Sequence, residues 1–211
     1  MSAPRARIVL LAGPSGSGKT HLAAQSGLPV LELDDFYLSG DDPGLPRNPV
    51  LGIVDWDDPG AWDSTGAVEA IEQICRTGSA EVPIYDISRD GRVGSRVFDL
   101  EAHSRFVGTG IFAAEIVAAC AERGLLADAI VVRRARWKNF FRWLRRDLTE
   151  HRKPVLTLVR RGVALFRAEP SVVARQIALG CRPCNRGETL DALCVERTLK
   201  DTGNSVEGDG S

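Results

Sequence analysis

The chain has little of what several protein classes require. No apolar run in its 211 residues approaches the roughly 18 that a membrane-spanning helix needs. The longest candidate, Val155 to Phe166, is interrupted by Arg160 and Arg161. Cysteine is sparse: Cys75, Cys120, Cys181, Cys184 and Cys194 are an odd number at wide spacings, which fits reduced thiols and not a disulfide framework. Cys181-Arg182-Pro183-Cys184 is a single C-x-x-C without a second pair or a neighbouring histidine, so a four-ligand structural zinc site is not expected. The three histidines (His21, His103, His151) form no cluster, and no Ser-His-Asp arrangement is supported. No internal repeat is present. Arg5 and Arg7 precede an apolar run, superficially like a leader peptide, but that run is only a strand long and leads into a glycine-rich loop. The expectation is a cytoplasmic protein. An apolar share of 44% is ordinary for a globular chain of this length, which suits one α/β domain and is too short for two large ones.

Net charge is also nearly absent, at -1, but the balance hides an asymmetry. Arg133 to Arg167 holds 12 Lys and Arg against Asp147 and Glu150, a local +10, which leaves 15 basic and 26 acidic residues elsewhere, or -11. Such a basic stretch needs an anionic partner or solvent.

What the chain does have is Gly13-Pro14-Ser15-Gly16-Ser17-Gly18-Lys19-Thr20, directly after the apolar run Ile8 to Ala12 and before the helix-compatible residues Lys19 to Gln25. A buried strand, a G-x-x-x-x-G-K-T loop and a helix start form the arrangement in which backbone amides curl around a polyphosphate. Gly13, Ser15, Gly16, Ser17 and Gly18 are expected to line that cradle. Lys19 is placed to neutralise the outer phosphates, and the Thr20 hydroxyl to ligate magnesium at the helix start.

Further along, Pro29 to Leu33 reads as a second strand ending in Asp34-Asp35-Phe36-Tyr37. Ligands of open parallel sheets bind at the carboxyl ends of strands, so this carboxylate pair is expected to face the same crevice. The alternative for Asp34 is an aspartate that caps a turn. Ser39 to Pro49 reads as a long loop. An acidic and aromatic cluster, Asp55 to Asp63, precedes a helix over Thr65 to Cys75. The alternative for Asp57 within it is charge favoured by a helix N-terminus, and Trp56 and Trp62 read as packing residues. Glu81 to Ile87 and Arg92 to Leu100 flank the hairpin turn Ser88-Arg89-Asp90-Gly91. Ser104 to Val107 and Ala129 to Val132 are strands, Ile111 to Arg123 a helix, and Gln176 to Gly180 the last strand. Arg134 to His151 and Pro154 to Phe166 are basic helices, Cys181 to Gly187 a loop, Glu188 to Leu199 the final helix, and 201–211 a disordered tail. Five strands separated by helices fit a parallel sheet covered on both faces. The basic helices are read as a phosphate-clamping lid, with a solvated face or polyanion binding as alternatives.

Taken in order, the phosphate loop, Asp34-Asp35-Phe36-Tyr37, Trp56-Asp57-Asp58-Pro59-Gly60-Ala61-Trp62-Asp63 and Val82-Pro83-Ile84-Tyr85-Asp86 resemble the uridine kinase family. Its wider group of P-loop kinases includes nicotinamide riboside kinase, pantothenate kinase and phosphoribulokinase. The resemblance covers roughly Ile8 to Lys153. It implies a P-loop NTPase-type, five-stranded parallel α/β sheet with helices on both faces, a β-hairpin insertion and a helical basic lid over about 134–153, within a single domain over 1–200. It implies ATP and magnesium as cofactors, and transfer of the γ-phosphate to the 5′-hydroxyl of a nucleoside. Neither nucleic acid nor a membrane is expected as a partner. By the same resemblance Asp34 is the catalytic aspartate and a magnesium ligand, Tyr37 the strand-end tyrosine, Asp57 the carboxylate for the ribose hydroxyls and Tyr85 the aromatic residue beside the nucleoside. Arg92 follows the base-recognition turn. Arg142 and Arg146 are lid arginines that close on the triphosphate, and Arg182 lies in the adenine-contacting loop.

Three positions depart from the family pattern. Asp90 stands where the family's base-reading histidine stands, and a carboxylate offers an acceptor in place of a donor. Thr109 replaces a glutamate expected near magnesium, leaving Asp34 or Glu115 to supply that charge. Asn139 takes the place of the first lid arginine. A kinase for another metabolite (nicotinamide riboside, pantothenate, a sugar phosphate) and a nucleotide-binding protein without turnover are the alternatives.

Overall fold

The computed structural model describes residues 3–14, 16–49, 52–133 and 170–203, with side chains described as far as Cys194. In chain order its elements are β1 (Arg7–Ala12), α1 (Lys19–Ser26), β2 (Val30–Glu32), α2 (Ser64–Thr77), β3 (Ser79–Asp86), β4 (Gly91–Asp99), β5 (Arg105–Thr109), α3 (Val117–Glu122) and β6 (Leu126–Val132). They are followed by α4 (170–178), β7 (Arg182–Cys184) and α5 (Arg186–Gly203). Short 3-10 turns cover Leu33–Phe36, Pro59–Ala61 and Ala113–Ile116.

The five-stranded sheet has the order β2-β5-β1-β6-β7, with every pairing parallel. β1 lies in the middle, and its near-continuous apolar run is what a strand covered on both faces requires. Alternation divides that run between two cores. Ile8, Leu10 and Ala12 join Leu31, Leu33, Phe106 and the apolar residues of α2 and α3 on one side. Val9 and Leu11 join Leu22 and Ala23 of α1 and Leu193 of α5 on the other. Full burial of each large side chain contributes about 1.5–3 kcal/mol, so the two cores fix β1, and with it the loop at its carboxyl end.

α2 buries Ala67, Val68, Ala70, Ile71, Ile74 and Cys75, the three-and-four spacing of one helical face. Asp63 caps it, accepting from Gly66 N at 2.8 Å. β3 and β4 form a separate antiparallel pair. Hydrogen bonds and an ion pair fasten this hairpin to the segment that follows β2. Asp35 accepts from Tyr85 N at 3.2 Å and pairs with Arg96 at 3.4 Å, while Gly40 N donates to Asp90 O at the hairpin tip at 2.6 Å. Asp90 turns the chain in the left-handed region, φ 46, which a short polar residue tolerates.

Several expectations are corrected. Gln176 to Gly180 is not a strand: it is the end of α4 and its turn, and the last strand is β7. The segment Ala174-Arg175-Gln176 is made of strong helix formers, and Gly180, φ 103, stops the helix with its amide on Ile177 O. β7 falls in the stretch expected to be loop: it is three residues long and contains Pro183, which a strand at the sheet edge accommodates. The strand expected to end at Leu33 ends at Glu32, so Asp34 sits in a 3-10 turn just past the strand tip. The helix expected over Ile111 to Arg123 is broken into the Ala113–Ile116 turn and α3. The final helix continues to Gly203, into the stretch read as tail. Ser15, both basic helices with Asn139, Arg142, Arg146 and Asp147, and residues 204–211 lie outside the described residues.

Candidate active site

The phosphate loop joins the carboxyl end of β1 to the first turn of α1. Gly18 is the N-cap of α1 at φ 90 and, lacking a side chain, leaves the first helical amides without a side-chain acceptor. These amides and the positive end of the helix dipole fit an anion. Lys19 Nζ donates to the loop carbonyls of Gly13 at 2.7 Å and Pro14 at 3.3 Å. Ser17 is completely buried within the loop, and its Oγ has no hydrogen-bond partner among the described residues. An unpartnered buried hydroxyl costs about 1–3 kcal/mol, which a phosphate oxygen would relieve. Thr20 is exposed in the first turn of α1. Together they fit a nucleotide triphosphate.

Asp34 lies in the 3-10 turn just past the tip of β2. Its Oδ1 accepts from Ile111 N at 3.1 Å. Burial raises its carboxyl above the ordinary range, and the hydrogen bond and the Lys19 ammonium both oppose that rise. The Asp34 side chain lies against Gly110, the residue that follows β5. Gly110 makes the fit possible, because a Cβ there would stand 2.9 Å from Asp34 Oδ1 and 2.9 Å from Leu33 Cβ.

One further carboxylate, Glu115, is expected from the sequence to supply charge near the phosphates. Glu115 is engaged by Arg175 at 3.0 Å. Glu32, which the sequence reading did not single out, accepts from the buried Thr109 hydroxyl at 3.3 Å. Burial raises the Glu32 carboxyl, partly opposed by that bond. Its signal in the sequence was a lone acidic residue in an apolar strand, Leu31-Glu32-Leu33.

Beyond Asp34 lies an aromatic group. Tyr37 has ring centroids 5.8 Å from Trp56, 5.7 Å from Tyr85 and 5.8 Å from Phe112, and its hydroxyl donates to Trp56 O at 3.1 Å. Burial, then the charges of Asp34 and Asp57, push the Tyr37 phenol well above its usual range, so it stays a hydrogen-bond donor. Asp57 is exposed beside this group, and Asp90 acts on Tyr85 in the same sense, after burial. Trp56 is therefore part of the aromatic group. Trp62 is a packing residue, 4% exposed, with Nε1 donating to Leu33 O at 2.7 Å.

Two expected ligand contacts have other partners here. Arg92 donates to Tyr37 O and Phe36 O, both at 3.1 Å, and pairs with Asp63 at 3.1 Å, so its guanidinium clamps the hairpin onto the segment that carries Asp34. Arg182 is held by Asp128 in a forked pair at 2.6–3.1 Å.

Among the described residues no group of three or more His, Cys, Asp or Glu side chains is placed to hold a metal by itself. Magnesium beside a nucleotide needs only one or two protein ligands, the remainder being water and phosphate oxygens, and Thr20 in the first turn of α1 offers an exposed hydroxyl of that kind.

Comparisons with known proteins bear on the fold. No protein-family model matches the chain. A uridine kinase of Lactobacillus johnsonii is 25% identical over 172 residues, 79% of this chain and 80% of that protein. An inorganic pyrophosphatase, TTM2 of Arabidopsis thaliana, is 30% identical over 113 residues, 50% of this chain, and the chain spans only 15% of its length. Among solved structures, a putative fructose transport system kinase from Silicibacter matches with a TM-score of 0.55 at 18% identity, over 79% of this chain and 85% of that one. Phosphoribulokinase from Rhodobacter spheroides matches at 0.50 and 18%, over 83% and 68%. The chain has a P-loop kinase fold and resembles uridine kinase. Within this P-loop kinase fold, the β3–β4 hairpin is an addition to the parallel sheet. No helix among the described residues is long and apolar enough to cross a membrane.

Proposed function

We propose that the protein is an ATP-dependent, magnesium-requiring kinase that transfers the γ-phosphoryl group to the 5′-hydroxyl of a nucleoside such as uridine or cytidine. The observation that carries this reading is the Asp34 carboxylate, bonded to Ile111 N just past the tip of β2, in the same parallel sheet whose central strand leads into the amide-lined loop. Phosphoryl transfer asks a protein mainly for positioning and charge stabilisation. Gly13, Ser15, Gly16, Ser17, Gly18 and Lys19 hold the phosphates, and ATP supplies the transferable group while magnesium screens its charge. Asp34 orients the acceptor hydroxyl and takes its proton. Tyr37, Trp56 and Tyr85 flank the acceptor, with Asp57 for its hydroxyls and Asp90 at the hairpin tip. Arg142 and Arg146 are the lid cations. Arg92 acts by holding the hairpin in place. Cytoplasmic location belongs to the same proposal and accords with five unpaired cysteines.

Charge supports a neutral or cationic acceptor over an anionic one. Counted over residues 30–99, 15 acidic side chains face 5 arginines. Four of those arginines, Arg76, Arg89, Arg92 and Arg96, are in ion pairs with carboxylates of the same segment. Sugar phosphates and pantothenate would therefore meet net repulsion. The test is ADP release coupled to a panel of uridine, cytidine, nicotinamide riboside, pantothenate and ribulose 5-phosphate. Turnover on a nucleoside, abolished by Asp34→Asn, is expected. Tight ATP binding with no acceptor phosphorylated would overturn the reading.

A further inference from the structure

Glu32 and Thr109 are register partners on β2 and β5. Each stands two residues beyond a valine, Val30 and Val107, that packs in the core beneath α1. Because side chains alternate along a strand, Glu32 and Thr109 both point to the α1 side of the sheet, at the strand tips nearest the start of that helix. β5 is the neighbour of β1, whose carboxyl end becomes the phosphate loop.

In phosphate-loop enzymes the cation at the outer phosphates is held by the loop hydroxyl and by a carboxylate from a strand tip. The tip of β5 carries no charge here: it ends in Thr109, 2% exposed. The Thr109 hydroxyl instead donates to Glu32 Oε2 at 3.3 Å, holding a carboxylate from the next strand against that position. The other carboxylates around the crevice have different work. Asp34 is bonded to Ile111 N, Asp35 to Tyr85 N and Arg96, and Glu115 to Arg175. A second feature of the loop also calls for a ligand, the fully buried and unpartnered Ser17 Oγ.

We infer that Glu32, positioned by Thr109, supplies the carboxylate that orients the hydrated divalent cation of the nucleotide beside Thr20. The carboxylate has in effect been carried by the strand paired to the one that ends in Thr109. This rests on the nucleotide-binding half of the proposed function and not on the identity of the acceptor.

The experiment uses the full chain with manganese as the cation and a non-hydrolysable ATP analogue. Manganese binding in the ternary complex is followed by electron paramagnetic resonance, and affinity for the metal-free nucleotide by calorimetry in EDTA. Glu32→Gln is expected to weaken manganese binding about tenfold or more while metal-free nucleotide affinity stays within about twofold, a range set by the usual cost of a second-sphere or ligand carboxylate. Thr109→Val, which keeps the carboxylate and removes its hydroxyl partner, should show a smaller loss. Glu32→Ser combined with Thr109→Glu should recover most of the manganese affinity. Unchanged manganese affinity in Glu32→Gln overturns the inference, as it does in Thr109→Val should Glu32→Gln fail to fold. A chain that binds the nucleotide and manganese as described but phosphorylates no acceptor refutes the proposed kinase activity and leaves this assignment standing. A chain that binds no nucleotide refutes both.

Discussion

Replacing Asp34 by asparagine separates what this residue does for turnover from what it does for folding. The amide is almost the same size, and its oxygen can still accept from Ile111 N, the partner of the carboxylate at 3.1 Å. The charge and the basicity are lost. Positioned general bases contribute about 10²- to 10⁴-fold, so Asp34→Asn should lower turnover by that factor, or about 3–5 kcal/mol of barrier. Stability should move the other way. Burial is the largest influence on this carboxyl and holds its folded-state value above the ordinary range. The folded chain therefore binds that proton more tightly than the unfolded chain. The group's contribution is fully present below the ordinary carboxylate value and is lost as pH rises through the folded-state value. At neutral pH the ionised group opposes folding, and Asp34→Asn should melt at or above the temperature of the natural protein. An ADP-coupled assay with uridine and a thermal melt at pH 5 and pH 8 read both quantities. The melting advantage should be larger at pH 8. Turnover within a fewfold of the natural enzyme, or a melting point lowered by several degrees, would refute the assignment of Asp34 as a base held at the expense of stability.

Gly110→Ala should reduce turnover tenfold or more and destabilise by about 1–3 kcal/mol, as overpacking does, because the added Cβ meets Asp34 Oδ1 and Leu33 Cβ at 2.9 Å. Kinetics alongside a urea melt measure both. Asp63→Ala removes the cap of α2 and the partner of Arg92 together. A loss of about 1–2 kcal/mol is expected from the cap, with the acceptor KM rising more than kcat falls as the hairpin loosens, and steady-state kinetics would expose a change confined to kcat. Burial pushes the thiols of Cys75 to about 12, Cys120 to about 11 and Cys181 to about 11. In the native protein at pH 7.5 these three should resist a thiol reagent that labels all five cysteines after denaturation. Rapid native labelling of Cys75 or Cys120, located by mass spectrometry, would contradict the packing around α2 and α3.

The parts of the fold legible in the sequence were those set by local rules. The loop from Gly13 to Thr20 announces itself because a cradle of amides tolerates few side chains. The hairpin is marked by Ser88-Arg89-Asp90-Gly91 between β-forming runs, and α2 by its apolar spacing. What stayed hidden depends on tertiary pairing. β7 is three residues with a proline, and only the exposed edge of β6 makes it a strand. Gln176 was assigned to a strand, yet it is a buried helical residue whose side-chain amide donates to Ile111 O at 3.3 Å. At the site, the sequence identifies which residue types lie near one another but not which way they are spent. Arg92 and Arg182 read as ligand contacts, and both are ion-paired, to Asp63 and Asp128. Glu32 passed unnoticed because its meaning comes from the register that sets it opposite Thr109.

The most direct test of the account follows the phosphorus. Purified protein is incubated with magnesium, ATP and uridine or cytidine, and the products are identified by phosphorus NMR and mass spectrometry. The account predicts a nucleoside 5′-monophosphate formed in equal amount to ADP. ADP accompanied only by inorganic phosphate, with the nucleoside recovered unchanged, would contradict it.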